Sequence, residues 1–378
     1  MIITFFSNYL THHQIPFCRA MDKREGVEFH FVSTMPMEEE REKGGWKLSN
    51  AYPFELRSYA SWENERQALK LAAESDVVII GAASEKYVRY RMKYAQSKLT
   101  LRYAERIYKK GRWRAFSPHS LVSNIRKHLR YMGKPIYVLC ASAYTAGDFA
   151  LLGSYLGKCY KWGYFPETKK YDEVEKITDS KRPSSILWVA RLIDWKHPEI
   201  AVEVAKKLKD NGYIFSLNLI GIGPLEEKIK GLIENYGLQK EVKMLGSMTP
   251  EEVREEMEKS SIFLFTSDRE EGWGAVLNEA MNSACAVVAN RQIGSVPFLI
   301  DDGKNGLIYG GNNVEKIYRK VKSLLDDGQF AKAIGVNAYK TISEEWNAEI
   351  ASDRLVSFVK SEKYKRNRMY DKGPCSRA

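Results

Sequence analysis

Between Asp268 and Met281 the chain reads Asp-Arg-Glu-Glu-Gly-Trp-Gly-Ala-Val-Leu-Asn-Glu-Ala-Met, directly after the apolar run 262–265. A strand, a glycine-bearing loop and then a helix leave free backbone N–H groups at the carboxyl edge of a parallel sheet, where such folds take their ligands. Gly272 and Gly274 let the backbone come close to a bound group. The helix expected to begin near Gly274 turns its positive end toward an anion such as a diphosphate. Two carboxylates accompany the loop. Glu271 lies within it, where it can accept hydrogen bonds from sugar hydroxyls. Glu279 follows about one and a half turns into the helix, within reach of a ribose. A solvated helix start is the plainer reading of these acids, and the glycines and the preceding strand argue against it.

Two further loops carry candidate groups. Arg191 and Lys196 follow the run 185–190, and Gly221-Ile222-Gly223-Pro224 follows the run 215–220. Arg191 ends a buried strand, so it either caps the sheet edge or meets an anion. Lys196 is either a surface cation or a second one for the same anion. His13 follows the first apolar run, as a satisfied structural histidine or a substrate-facing one. Glu105 is an ion-pair partner of Arg102 or Arg106, or a base on the acceptor side.

The elements that must position these residues alternate. Short apolar runs at 2–6, 27–32, 76–81 and 135–141, then at 185–190, 215–220, 242–245, 262–265, 284–289 and 306–309, are separated by amphipathic stretches. Thr249-Pro250-Glu251-Glu252 is a helix start, with a cap, proline in the first turn and Glu three residues after the cap. Such alternation predicts an α/β fold with parallel sheets, here two of them. The boundary falls in 165–183, which has prolines near both ends and a charged middle. The predicted division is an N-terminal domain at 1–165, onto which 355–378 pack back, and a C-terminal domain at 166–354. A chain of 378 residues suits two domains at roughly 100–200 residues each.

Charge narrows the partner classes. The segment 84–134 holds fifteen Lys and Arg against Glu85 and Glu105, a net of +13 in a chain whose total is +11. Tyr87, Tyr90, Tyr94, Tyr103, Tyr108, Trp113 and Phe116 are interleaved with these cations. The segment is a solvated helical face or the contact for an anionic partner. No nucleic-acid-binding motif is present, so lipid head groups and phosphate are the expected partners. No apolar run approaches the ~20 residues of a membrane-spanning helix. The opening residues lack the marks of a signal peptide. Five scattered cysteines without a C-x-x-C pair suit reduced thiols in the cytoplasm.

Taken together, Glu271-Gly-x-Gly-x-x-x-x-Glu279-Ala-Met resembles the signature of the retaining nucleotide-sugar glycosyltransferases of family 4 (group 1). These have the GT-B architecture of two facing Rossmann-like domains with a cleft between them. Ala190-Arg191-Leu192-Ile193-Asp194-Trp195-Lys196 resembles that family's G-R-L-x-x-x-K element, and Gly221-Ile222-Gly223-Pro224 its G-x-G-P loop. Gly294-Ser295-Val296-Pro297 followed by Asp302-Gly303-Lys304-Asn305-Gly306 resembles G-x-P-E…D-G-x-N-G. Departures are Ile293-Gly294 for the usual Gly-Gly and Phe298 for the acid after the proline. The N-terminal half is similar to a bacterial surface-polysaccharide subgroup, through Asn8…His13-Gln14-Ile15-Pro16-Phe17, the stretch from Arg102 to Gly111, and Lys161-Trp162-Gly163-Tyr164-Phe165-Pro166.

The resemblance implies a donor nucleotide sugar, UDP- or GDP-linked, with Arg191 and Lys196 neutralising its diphosphate and no metal or other cofactor. It further implies Glu279 on the ribose, Glu271 on the donor sugar, and the amides of Trp273 and Gly274 near phosphate or sugar. The expected reaction is retaining transfer of a sugar to a lipid-linked or saccharide acceptor in cell-surface polysaccharide synthesis. With the +13 segment, this predicts a cytoplasmic protein peripheral at the inner face of the plasma membrane. The anionic acceptor would be a lipid-diphosphate-linked saccharide, and no nucleic acid is expected. Two rivals remain: a catalytically silent partner subunit of the same fold, and a nucleotide-sugar epimerase or hydrolase.

Overall fold

Apolar runs rich in β-branched and aromatic residues become strands wherever both faces can be buried. The computed structural model describes residues 1–38, 52–363 and 370–378. These divide into two units, 1–167 with 347–378, and 168–346.

The first unit is built on β1 (Ile2–Ser7), β2 (Glu28–Ser33), β3 (Glu55–Arg57), β4 (Val77–Ile80), β5 (Leu99–Ala104), β6 (Ile136–Cys140) and β7 (Cys159–Lys161). Among the described residues they form one parallel sheet in the order β3-β2-β1-β4-β5-β6-β7. The sequence reading anticipates β1, β2, β4 and β6 and misses the other three. Two of those are only three residues long. The third, β5, carries Arg102, which looks like a surface residue in sequence yet is 7% exposed and pairs with Glu85 at 2.8 Å.

The helix Ala348–Lys363 belongs to this unit and packs on the helix Ile15–Asp22. Arg24 meets Asp353 at 2.6 Å, and Tyr137 donates to Glu362 at 2.6 Å. The last residues lie along β7: Cys375 N–H donates to the Lys161 carbonyl at 2.8 Å, and Lys161 N–H to the Ser376 carbonyl at 2.7 Å. All five cysteines are buried free thiols.

The second unit holds β8 (Arg182–Val189), β9 (Ser216–Ile220), β10 (Val242–Gly246), β11 (Ser260–Phe265), β12 (Ala286–Asn290) and β13 (Leu307–Tyr309), in the parallel order β10-β9-β8-β11-β12-β13. All six were expected from the sequence. Trp188, Leu217, Leu219, Ile262, Leu264 and Val288 supply part of the core between sheet and helices. The expected helix start after Thr249 is present as a full capping box. Strand order reverses between β8 and β11. At such a switch point the loops leaving the two strands part in opposite directions and open a crevice at the carboxyl edge of the sheet. The loop after β8 carries Arg191 and Lys196; the loop after β11 carries Glu271.

Candidate active site

Three hydrogen bonds stitch these two loops together. Trp188 Nε1 donates to Thr266 Oγ1 at 2.8 Å, Thr266 Oγ1 donates to the Lys196 carbonyl at 2.6 Å, and Asp268 N–H donates to the Trp195 carbonyl at 3.0 Å. Lys196 Nζ is thereby brought onto the Glu271 carboxylate, forming an ion pair. Both side chains are nearly buried, at 12% and 10% exposure. Lys196 also lies 4.2 Å from the centre of the Trp195 ring. Arg191, close by in sequence, is exposed.

The glycines act mostly on their own chain. A Cβ on Gly221 would stand 1.9 Å from the Ala190 carbonyl oxygen, and one on Gly223 would stand 2.4 Å from that of Leu192. Their space is thus taken by the Arg191 loop, which Leu192 N–H fastens to the Ile222 carbonyl at 3.0 Å. These two glycines set where Arg191 stands. Gly274 has φ +84°, and a Cβ there would lie 2.7 Å from the Phe265 ring and 3.2 Å from Glu271 Cγ. Gly272, beside Glu271, is buried.

The helix after the loop starts two residues later than expected and runs Val276–Asn282. Glu279 therefore sits in its first turn, half-buried. Burial pushes its carboxyl pKa up, and the Arg254 charge works against that. The Trp273 indole is not a ligand surface. It is 1% exposed, donates from Nε1 to Asn278 Oδ1 at 2.9 Å, and packs against Phe298 and Trp346. What Trp273 leaves to a ligand is its backbone.

Several residues at this edge escape the sequence reading. His197 stands in the left-handed region, φ +51°, with Nδ1 2.9 Å from Glu199 and Nε2 3.3 Å from Asp268. It ties the end of the Lys196 loop to the start of the Glu271 loop. The Glu199 hydrogen bond raises its pKa, burial opposes this, and Asp268 adds to the rise. Ser267, Asn290 and Ser295 each bury a polar atom that has no partner among the described residues. Ser267 follows β11 and Asn290 ends β12, the strand beside it. Small polar residues just past strand ends were the available signal.

His13 belongs to the first unit. Its ring is near-parallel to that of Tyr164, with centres 6.2 Å apart. Burial and the neighbouring His12 hold its pKa well below the usual value, so it is a neutral imidazole at neutral pH. Glu105 pairs with Lys109 at 2.9 Å and accepts from the Tyr164 hydroxyl at 2.7 Å, while Arg102 is taken by Glu85.

A lysine–carboxylate pair and an exposed arginine at a switch point can neutralise a diphosphate and hold hydroxyls. Comparison with known proteins shows what this arrangement is similar to. The family described as glycosyl transferases group 1 matches residues 170–341. That match takes in nearly all of the second unit, which is thus similar to a group 1 glycosyltransferase domain. Over its part of the chain, a putative colanic acid biosynthesis glycosyltransferase of Escherichia coli is 29% identical, covering 47% of this chain and 45% of that protein. An amylovoran biosynthesis glycosyltransferase of Erwinia amylovora is 28% identical, covering 49% and 46%. The chain spans less than half the length of these curated relatives. In three dimensions the likeness extends beyond the residues that match the family. Anabaena HepE, solved with UDP and glucose, matches over 95% of this chain and 99% of its own at TM-score 0.65 and 15% identity. A glycosyltransferase from Rickettsia africae matches over 97% and 99% at TM-score 0.63 and 18% identity. Each unit is thus a doubly wound α/β domain of the kind found in GT-B glycosyltransferases, and the family match lies in the second of them.

Proposed function

We propose that the chain transfers a sugar, with retention of anomeric configuration, from a UDP- or GDP-sugar to a lipid-linked or saccharide acceptor in cell-surface polysaccharide synthesis. The Lys196–Glu271 pair, set with Arg191 at the β8/β11 switch point, carries the reading. In this scheme Lys196 and Arg191 meet the negative charge that grows on the leaving diphosphate as the glycosidic bond lengthens. These two cations replace a metal ion. Glu271, sharing Lys196, accepts hydrogen bonds from the donor sugar, and Glu279 accepts from the ribose. Ser267, Asn290 and Ser295 offer polar atoms to the same ligand. His13, held neutral, faces the acceptor as a hydrogen-bond acceptor. Relatives named for colanic acid and amylovoran synthesis support the polysaccharide setting, and the UDP seen in HepE supports a nucleoside diphosphate donor. The protein works in the cytoplasm, peripheral at the inner face of the plasma membrane.

The test begins with a thermal-shift panel of UDP- and GDP-sugars, in which the true donor raises the melting temperature by mass action. Transfer is then measured with that donor, with and without EDTA. Glu271→Ala and Arg191→Ala, shown to be folded, should each lose at least a hundredfold in transfer, and EDTA should change nothing. Full transfer by either variant removes the site assignment. A donor converted without any acceptor points instead to hydrolysis or epimerisation.

A further inference from the structure

The helix Pro118–Lys127 is built inside out. Of its ten residues only Asn124 is buried, and Asn124 is polar. It accepts from Ser154 Oγ at 2.7 Å and donates to the Leu152 carbonyl at 3.2 Å. Arg102 adds a hydrogen bond to the Lys127 carbonyl at 2.8 Å. Leu121, Val122 and Ile125, spaced to share one helical face, are all exposed, Ile125 at 55%. A surface helix ordinarily turns its apolar stripe inward; here polar bonds hold the inner side and the apolar stripe is left outside. The single-turn helix before it, Arg112–Phe116, does the same: Ala115 is buried, whereas Trp113 is 69% and Phe116 61% exposed.

Cations rim this apolar surface. Lys110, Arg114, Arg126, Lys127 and Arg130 are exposed. Only two acids lie in 84–134, and both are spent internally, Glu85 on Arg102 and Glu105 on Lys109. Not all of the basic excess reaches the surface. Arg91 is fully buried and donates to the backbone carbonyls of Ala72, Ser75, Asp76 and Leu99. What remains outside is an apolar stripe with a positive border and no unpaired acid, complementary to a bilayer of anionic lipid.

We infer that residues 110–130 are a membrane-docking element, in which Trp113, Phe116, Leu121, Val122 and Ile125 enter the acyl boundary while the flanking cations meet lipid phosphates. The inference rests on the reading of a membrane-held acceptor and specifies how the membrane is met. It assigns the main role to the apolar stripe, with charge secondary.

The experiment sediments the full chain with vesicles of phosphatidylcholine alone or mixed with phosphatidylglycerol. Wild type should bind the mixed vesicles, and lipids brominated along the acyl chain should quench an emission component that Trp113→Phe removes. The triple variant Leu121→Ser/Val122→Ser/Ile125→Ser should bind at least tenfold more weakly, keep its melting temperature, and keep its thermal shift with the donor. Its substitutions lie on an exposed face of the first unit, whereas the donor loops belong to the second. Glu271→Ala should lose transfer yet bind vesicles as wild type does, so failure of the docking idea and failure of the donor site are told apart. The inference is overturned if wild type does not bind mixed vesicles, or if the triple variant binds undiminished. It is equally overturned if lipid-free wild type is a dimer that the triple variant dissolves, since the stripe would then be an interface between two copies.

Discussion

Lys196 and Glu271 are each about nine-tenths out of water, so either charge alone would be costly at this site. Lys196→Met should lower stability by about 3 kcal/mol, an apparent melting shift of about 6–12 °C for a unit of this size, and the double variant Lys196→Met/Glu271→Gln should recover part of it. Differential scanning calorimetry reads both. His197 adds a pH dependence. Its pKa is raised in the folded state, so its stabilisation is complete below the unfolded value near 6.5 and is lost as pH rises through the folded value. Glu199, Asp268 and Asn312 are the polar groups in contact with its ring. Melting temperature and donor affinity should both decline as pH rises above about 6.5, and His197→Asn should flatten that decline. The places of Glu271 and Arg191 after strand ends were legible in the sequence, because each follows an apolar run. His197 was not, because its bond to Asp268 joins two distant loops.

At the scale of elements, two glycines make strong predictions. Gly221→Ala drives a Cβ into the Ala190 carbonyl at a backbone angle, φ +136°, that side chains rarely adopt. It should cost roughly 3 kcal/mol and move Arg191, so that donor affinity falls along with stability. Gly274→Ala crowds Phe265 and Glu271 Cγ and should raise KM for the donor roughly tenfold or more while the second unit stays folded; steady-state kinetics and circular dichroism check the pair. The sequence reading took Gly272 and Gly274 as room for a ligand and placed Gly221 and Gly223 among the donor-binding candidates. Gly221 and Gly223 also give room to a neighbouring loop, a role that spacing does not carry. All the strands of the second unit were legible, since their runs are wholly apolar or nearly so. β5 was hidden by Arg102, whose burial depends on Glu85, seventeen residues away. The basic segment was legible only in part, because Arg91 and Arg102 belong to the interior while an apolar helix face lies outside.

At the scale of the molecule, the chain leaves its first unit after Glu167 and re-enters it at Asn347. Leu355, Phe358 and Val359 on the returning helix are buried, and Phe358 meets Tyr137 and Tyr160 edge-on. Ending the chain at Trp346 should therefore destabilise the first unit and spare the second. Limited proteolysis should show fragments of 1–167 digested rapidly while 168–346 persists with its donor-induced thermal shift intact. A ribosome working along this message finishes the second unit before it finishes the first. The first unit waits through the whole synthesis of the second for its closing helix. A product broken off before Asn347 would lack the packed partner that completes the unit bearing His13 and the exposed apolar stripe. Completion of the first unit thus follows that of the second, and it reports that the second has been made.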